Sequence, residues 1–583
     1  MADLHASRRR FLAAGLGSGG ALVFTPGMMA GSQDSGSAVT PPPAGDAPVQ
    51  TPPPEAEGIT ERTIAEAEKL AGVRYTAEER RQMLPQMRGE VARYLRRRRV
   101  ELTNDRSPAQ IFDPRLPGQS FSYLNAARFR SVTPPETPCP DQADDIAFAP
   151  VSHQAAWIRR GELTSVRLTE IYLDRLERYG PALECVVTLT RDLAMGQARR
   201  ADRELAEGRD RGPLHGIPWG AKDLLDTRGI RTSWGATPYK DRVPQRDAIT
   251  VQRLEEAGAV LVAKLTLGAL AYGDIWFDGR TNNPFNIEQG SSGSSAGSAA
   301  AAAAGLVSFA IGSETLGSIV SPTMRCGSTG LRPTFGRVAR TGAMALSWTM
   351  DKLGPICRSV DDCMLVLRAI SGHDHGDPSS YDMPIDYDAT ASLRGMRVGY
   401  VPAWFEGGQV SAHDRRAFEV CRDLGVELVE IDLPDWPYDA LLNILYVEAA
   451  AAFEEMTLSN ADDQLVWQEP QAWPNTFRRT RFVPAIEFVQ ADRLRRSVME
   501  MLAERFERVE AMIGPSFAGS MLLITNTTGH PSVTFRTGFR QNGTPTGITL
   551  WGRLFDEGRI CRLGHAMEQV LGVWNQRPQL DVE

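Results

Sequence analysis

Residues Gln289 to Gly305 read QGSSGSSAGSAAAAAAG, and this run of small side chains constrains the chain more than any other stretch. Its composition is that of a flexible linker, yet its flanks are rich in residues of the kind that fold inward. Glycine and serine permit sharp backbone turns, whereas the six alanines from 299 to 304 favour a tightly packed helix. The stretch is therefore expected to be a turn held rigidly at the start of a buried helix. About twenty residues on, a second small-residue turn, Gly312-Ser-Glu-Thr-Leu-Gly-Ser-Ile319, directly follows the short apolar run Val307 to Ile311. Upstream, Gly216-Ile-Pro-Trp-Gly-Ala-Lys-Asp223 places a lysine in apolar, Gly/Pro-rich surroundings.

The segments around these turns alternate between helical period and short apolar runs. Ala155 to Tyr179 reads as one helix, with apolar residues at Ala156, Ile158, Leu163, Val166, Leu168, Ile171, Leu173 and Leu176. Ala259 to Ala263 and Val307 to Ile311 are short enough to be buried strands. Strands separated by helices indicate an α/β fold, expected as a mixed, mostly parallel sheet flanked by helices. No internal repeat and no convincing second globular domain is visible.

The N-terminus differs in kind. Ser7-Arg8-Arg9-Arg10-Phe11-Leu12, followed by a Gly-interrupted apolar run to Ala30, resembles a bacterial twin-arginine export signal, which implies a periplasmic protein and the twin-arginine machinery as a partner. Glycines, a serine and a proline break the run, so no stable membrane span is expected from it. Residues 31–58 are Pro-rich with few apolar side chains to offset the entropy of ordering, and read as a disordered tether. Residues 59–145 read as an N-terminal helical extension and connection. It holds a helix from Ile59 to Ala71 and a second opened by Thr76 with Glu79 three residues on, in the capping-box pattern. The second ends in Arg96-Arg97-Arg98-Arg99, which reads as a solvated end complementing the helix dipole. Seven cysteines show no paired spacing for a zinc site, and the net charge of -8 offers no reason to expect nucleic acid as partner. His373-Asp-His-Gly-Asp377 reads as a polar loop rather than a metal site, and Cys326 as a buried, inert thiol.

The three small-residue and lysine motifs, in this order, resemble those of the amidase signature family. Further matches are Gly330-Leu-Arg-Pro-Thr-Phe-Gly-Arg337, Asp351 to Pro355, Gly529-His-Pro531 and Gly543-Thr-Pro-Thr-Gly547. The resemblance spans roughly residues 146–575, expected as a single catalytic domain followed by a tail at 576–583. It implies a catalytic lysine at Lys222, a bridging serine preceded by a cis peptide at Ser294, and a nucleophile at Ser318. It also implies a supporting hydroxyl at Ser295 and an oxyanion hole from the backbone N–H groups of Thr315, Leu316, Gly317 and Ser318. No metal or organic cofactor is implied.

The implied chemistry is physically coherent. A serine hydroxyl needs a base at neutral pH; with no histidine in these motifs, a neutral lysine acting through a second serine is the remaining relay. Neutral lysine near pH 7 requires that the charged form be destabilised by roughly 4 kcal/mol relative to the neutral one, which demands burial. The pattern departs from the family at Leu316, where glycine is usual, at Glu314 for Asp, at Ala296 for Gly and at Val320 for Arg. Leu316 is expected to reshape the oxyanion turn and the pocket, and Val320 to leave no site for an anionic substrate group. The leading expectation is an exported amidase cleaving a linear amide of a small molecule. Ester or carbamate hydrolysis on the same residues, a glutaminase subunit of a tRNA amidotransferase, and a catalytically silent envelope binding protein remain alternatives. The substrate's two parts and the oligomeric state are not written in the sequence.

Overall fold

The protein is described from a computed structural model over residues 58–124, 128–134, 136–406 and 410–580. Residues 1–30, read as an export signal, and all but the last residue of the stretch read as a tether lie outside these described residues.

Among the described residues two helices come first, Glu61–Ala71 and Ala77–Arg97. Thr60 and Thr76 cap them: each hydroxyl accepts from the third helical N–H, and the side chains of Thr63 and Glu79 return the bond. Gly72 in the left-handed region ends the first helix. The pair is held by an Arg80–Glu68 ion pair at 2.7 Å and by Arg88 donating to the Ile59 carbonyl at 2.9 Å. Arg97, expected in solvent, reaches Glu454 at 2.5 Å and ties the hairpin to the rest of the described chain.

Eleven strands form one sheet, numbered here in chain order: β1 (Val186–Leu189), β2 (Pro218–Lys222), β3 (Val260–Leu265), β4 (Phe309–Glu314), β5 (Thr329–Arg332), β6 (Lys352–Cys357), β7 (Arg397–Tyr400), β8 (Glu427–Glu430), β9 (Ala511–Pro515), β10 (Ser532–Phe539) and β11 (Pro545–Gly552). Their spatial order is β8-β7-β9-β11-β10-β5-β6-β4-β2-β3-β1. The sheet is mixed, but it is not mostly parallel. Only β8/β7, β7/β9, β4/β2 and β2/β3 pair in parallel, and the other neighbours are antiparallel. The reason is connectivity: β10 and β11 are joined by a tight turn, and β6 inserts between β4 and β5, reversing the direction of both pairings.

A second correction concerns Ala155 to Tyr179, which is two helices, Val151–Arg159 and Ser165–Leu183. Gly161 in the left-handed region (φ 71°) breaks the run, and Thr164 restarts it by accepting from Arg167 N–H. The apolar periodicity spans both because both pack on the same core. The alanine run forms the helix Ala296–Ala303, every residue of which is buried. Eight small residues let this helix lie close to β2, β3, β4 and β6 at once. The apolar strands expected at 259–263 and 307–311 are β3 and β4, displaced toward the C-terminus by one to three residues.

Candidate active site

Parallel pairing of β2 with β4 (Ala221 opposite Ile311) brings the C-terminal ends of both strands to one edge of the sheet. Lys222 is the last residue of β2 and is fully buried. Its Nζ lies 2.9 Å from Ser294 Oγ, 3.0 Å from Ser295 Oγ and 2.8 Å from Ser313 Oγ, with the Ser313 carbonyl at 3.4 Å. These partners are hydroxyls and a carbonyl; among the described residues no carboxylate pairs with this lysine. Burial pushes its pKa well below the ordinary lysine value, with Asp351 and then Glu314 pulling it part of the way back.

Ser294 and Ser295 reach the lysine from the turn that precedes the alanine helix. The Gly293–Ser294 peptide is cis. A Cβ at residue 293 would stand 1.8 Å from the Gly273 carbonyl oxygen, so only glycine fits at this approach. Ser292, at φ 60°, donates its N–H to Asp274 (2.9 Å) and shares a hydroxyl bond with Ser321 (2.7 Å), which clamps the turn to the helix Val320–Cys326. Ser295 N–H donates to the Ser318 carbonyl at 3.1 Å, so the two small-residue turns meet at this pair.

Ser318 sits at the end of the turn that leaves β4. It is 8% exposed, and its hydroxyl makes no hydrogen bond among the described residues. The backbone N–H groups of Thr315, Leu316, Gly317 and Ser318 also donate to no acceptor there. Leu316 does not strain this turn: the positive φ, 85°, falls on Gly317. The leucine side chain is half-buried, and Leu522 of the helix Met521–Thr528 lies beside Gly317. Leu316, expected to reshape this turn, thus sits in it with an unstrained backbone and adds an apolar side chain beside it.

Two carboxylates hold the turn from either side. Asp351 accepts from Thr315 Oγ1 (2.5 Å) and from the N–H groups of Leu346 and Ser347. Glu314 is fully buried against Arg332 at 2.8 Å. Burial would raise its carboxyl, but the Arg332 charge and the Val320 N–H bring it down to about 2. Ser313, Asp351, Glu314, Arg332 and Asn526 are the functional neighbours that sequence reasoning left without a role. Ser313 and Glu314 lie inside the second small-residue motif, Arg332 and Asp351 inside two of the downstream blocks. Their side-chain contacts depend on strands far apart in sequence.

Elsewhere, Asp377 of the histidine-containing loop is paired with Arg340 at 3.0 Å, and among the described residues no cluster of His, Cys, Asp or Glu is arranged to hold a metal. Among the same residues no helix is long and apolar enough to cross a membrane. All seven cysteines are free thiols, six of them buried, Cys326 included. Trp473 is buried and Trp404 packs on Trp551, while Trp467, from the region without recognisable motifs, flanks Gly273 next to the Ser294 turn.

The family model described as Amidase matches residues 167–519. A glutamyl-tRNA(Gln) amidotransferase subunit from Roseiflexus sp. (strain RS-1) is 34% identical over 475 residues, covering 73% of this chain and 97% of that protein. The subunit of the same name from Geobacter metallireducens is 32% identical, with coverage of 72% and 96%. Among solved structures, native peptide amidase from Stenotrophomonas maltophilia superposes with a TM-score of 0.67 at 30% identity, over 74% of this chain and 99% of that one. A bacterial aryl acylamidase shares the fold alone, with a TM-score of 0.67 at 21% identity over 75% and 100% of the two chains.

Proposed function

The chain belongs to the amidase signature family of hydrolases acting on carbon–nitrogen bonds, and from that premise we propose that it cleaves a linear amide through an acyl-enzyme on Ser318. The observation that carries this reading is a buried lysine whose nearest partners are serine hydroxyls. Lys264, on the neighbouring strand, is equally buried but has Asp223 at 3.2 Å to balance its charge. Lys222 has no such partner, so its neutral form is the one the site favours, and a neutral amine is a base.

In the proposed cycle Ser318 Oγ attacks the carbonyl carbon, its proton passing to Ser294 Oγ as that hydroxyl gives its own to Lys222 Nζ. The Ser294–Ser318 step is closed by the bound substrate, since hydrogen bonds of this kind tighten only in the reacting complex. Electrons displaced onto the carbonyl oxygen meet the free N–H groups of residues 315–318, each worth roughly 3 to 4 kcal/mol to the transition state. Collapse of the tetrahedral intermediate breaks the C–N bond, and the proton on Lys222 returns through Ser294 to the leaving amine. Water then attacks the ester by the same path, releasing the acid and restoring Ser318. Leu316, Leu522 and Trp467 support an apolar substrate group, and Val320 supports one without a negative charge.

The test needs no known substrate. A fluorophosphonate probe with peptide mapping is expected to mark Ser318 in the wild type, more weakly in Lys222→Ala, and not at all in Ser318→Ala. Absence of the mark on folded wild type overturns the reading. Screening amides beside esters and carbamates then identifies the bond cleaved. We further propose export through the leader at residues 1–30; a mature N-terminus near residue 31 in a periplasmic fraction is the expected outcome. A glutaminase subunit of a tRNA amidotransferase is a second reading, favoured by the identity to the curated relatives and opposed by the arginine-containing leader. Retention of the full-length chain in the cytoplasm would favour it.

A further inference from the structure

Every group that touches the Glu314 carboxylate is a donor. Oε2 accepts from the N–H groups of Ile319 (2.7 Å) and Val320 (2.9 Å), the two residues directly after Ser318. Oε1 accepts from Arg332 Nη1 (2.8 Å) and Asn526 Nδ2 (2.8 Å). One side chain thus spans the turn from the residue before it to the two residues after it. Only an ionised carboxylate, which accepts on both oxygens and donates on neither, satisfies all four donors. Taking up Ile319 and Val320 N–H also settles which backbone donors are committed, and leaves those of 315–318 free. A negative charge beside a developing oxyanion would be costly if unbalanced; Arg332, fully buried on β5, balances it. Val320, at the first helical position, offers no cation, so the counter-charge comes from another strand.

We propose that Glu314, paired with Arg332 and Asn526, is a positioning residue that sets the oxyanion turn and Ser318 for reaction. This rests on the reading of Ser318 as nucleophile. Glu314 touches no reacting atom; it acts through the turn on the rate of the bond-forming step.

The test is the kinetics of fluorophosphonate labelling on the full-length protein. There the Ser318 Oγ–P bond forms as the P–F bond breaks, fluoride leaves, and the serine proton enters the relay. Glu314→Gln keeps the shape but turns an NH2 toward two donors, and is expected to lower the maximal labelling rate by about 10²-fold with half-saturating probe within about threefold of wild type. Glu314→Asp restores an acceptor-only group and is expected to recover roughly tenfold of the loss. Lys222 faces two charges, Asp351 and Glu314, while Asp223 and Lys264 lie on the opposite face of the sheet. Removing the Glu314 charge is therefore expected to move the acid limb of the labelling profile to lower pH, which mere loosening of the fold leaves in place. Folded Glu314→Gln that labels within about threefold of wild type, an aspartate no faster than the glutamine, or an unmoved acid limb each overturns the inference. Should Glu314→Gln not fold, Asn526→Ala, which removes one donor, carries the test: about tenfold slower labelling is expected, and an unchanged rate overturns it. Failure of wild type to label at Ser318 overturns the reading and this inference together, so the two failures are distinguishable.

Discussion

Lys222 and Lys264 sit one register apart on adjacent parallel strands, facing opposite sides of the sheet, and neither is exposed. Their partners set their chemistry. Lys264 is met by Asp223, Thr232 Oγ1 and the Leu225 carbonyl, so a carboxylate stands opposite its charge. Asp223→Asn leaves that ammonium without a counter-charge and is expected to cost about 3 to 5 kcal/mol of stability, read by denaturant titration. Lys222 must instead be neutral to accept a proton. Its lowered pKa means that the base form is present above that value and lost as pH falls through it, so turnover is expected to decline on the acid side. Asp351 raises the Lys222 pKa, and its removal therefore lowers it. Asp351→Asn is expected to shift the acid limb of a pH–rate profile to lower pH, and an unmoved or raised limb contradicts this. Lys222→Ala is expected to reduce turnover by roughly 10³-fold, as for loss of a general base. At this scale the sequence motifs named Lys222, Ser294, Ser295 and Ser318, but not their contacts. Ser313 Oγ lies within 2.8 Å of the lysine because β2 and β4 run side by side, and nothing local in either strand says so.

Among the elements, the helix Ala296–Ala303 was legible from its alanines, since no flexible linker repeats so strong a helix former six times. Its burial explains the composition: a helix crossing close beneath four strands has room for side chains no larger than a methyl or a hydroxymethyl. Ala300→Leu inserts three carbons into this packing and is expected to cost about 1 to 3 kcal/mol, visible as a lowered Tm, and to slow labelling of Ser318 because Ser294 and Ser295 ride on the helix start. An unchanged Tm would show that the helix is less tightly held than its burial indicates. The capped helix opened by Thr76 was equally legible, because the capping box is a local signal. The run from Ala155 to Tyr179 was not, since one apolar face continues through the Gly161 break, and periodicity reports the core that a segment faces rather than the number of helices facing it.

For the whole molecule, the side chains of the candidate site come from residues 222 to 526, and the hairpin 60–97 meets the rest of the described chain through Arg97 and Glu454. Deleting residues 1–98 is therefore expected to leave the rate of Ser318 labelling within about twofold, since the loss of one partly exposed ion pair is worth about 1 kcal/mol or less. A large loss would assign the hairpin a part in forming the site. The direction of the sheet was the global feature misjudged from sequence: strands separated by helices suggested parallel neighbours, whereas β6 enters between β4 and β5 and turns the centre antiparallel. What the sequence by itself determined is the set of candidate catalytic side chains, the turns that carry them and the buried helix behind them. These are written in short-range rules, where glycine goes, where alanine repeats, where a lysine follows an apolar, Gly/Pro-rich run. Only the tertiary structure decided that Lys222 is surrounded by three hydroxyls and that Glu314 is met by four donors. Those partners lie between 5 and 212 residues away along the chain, and their approach is set by strand pairing and burial, which no single segment encodes.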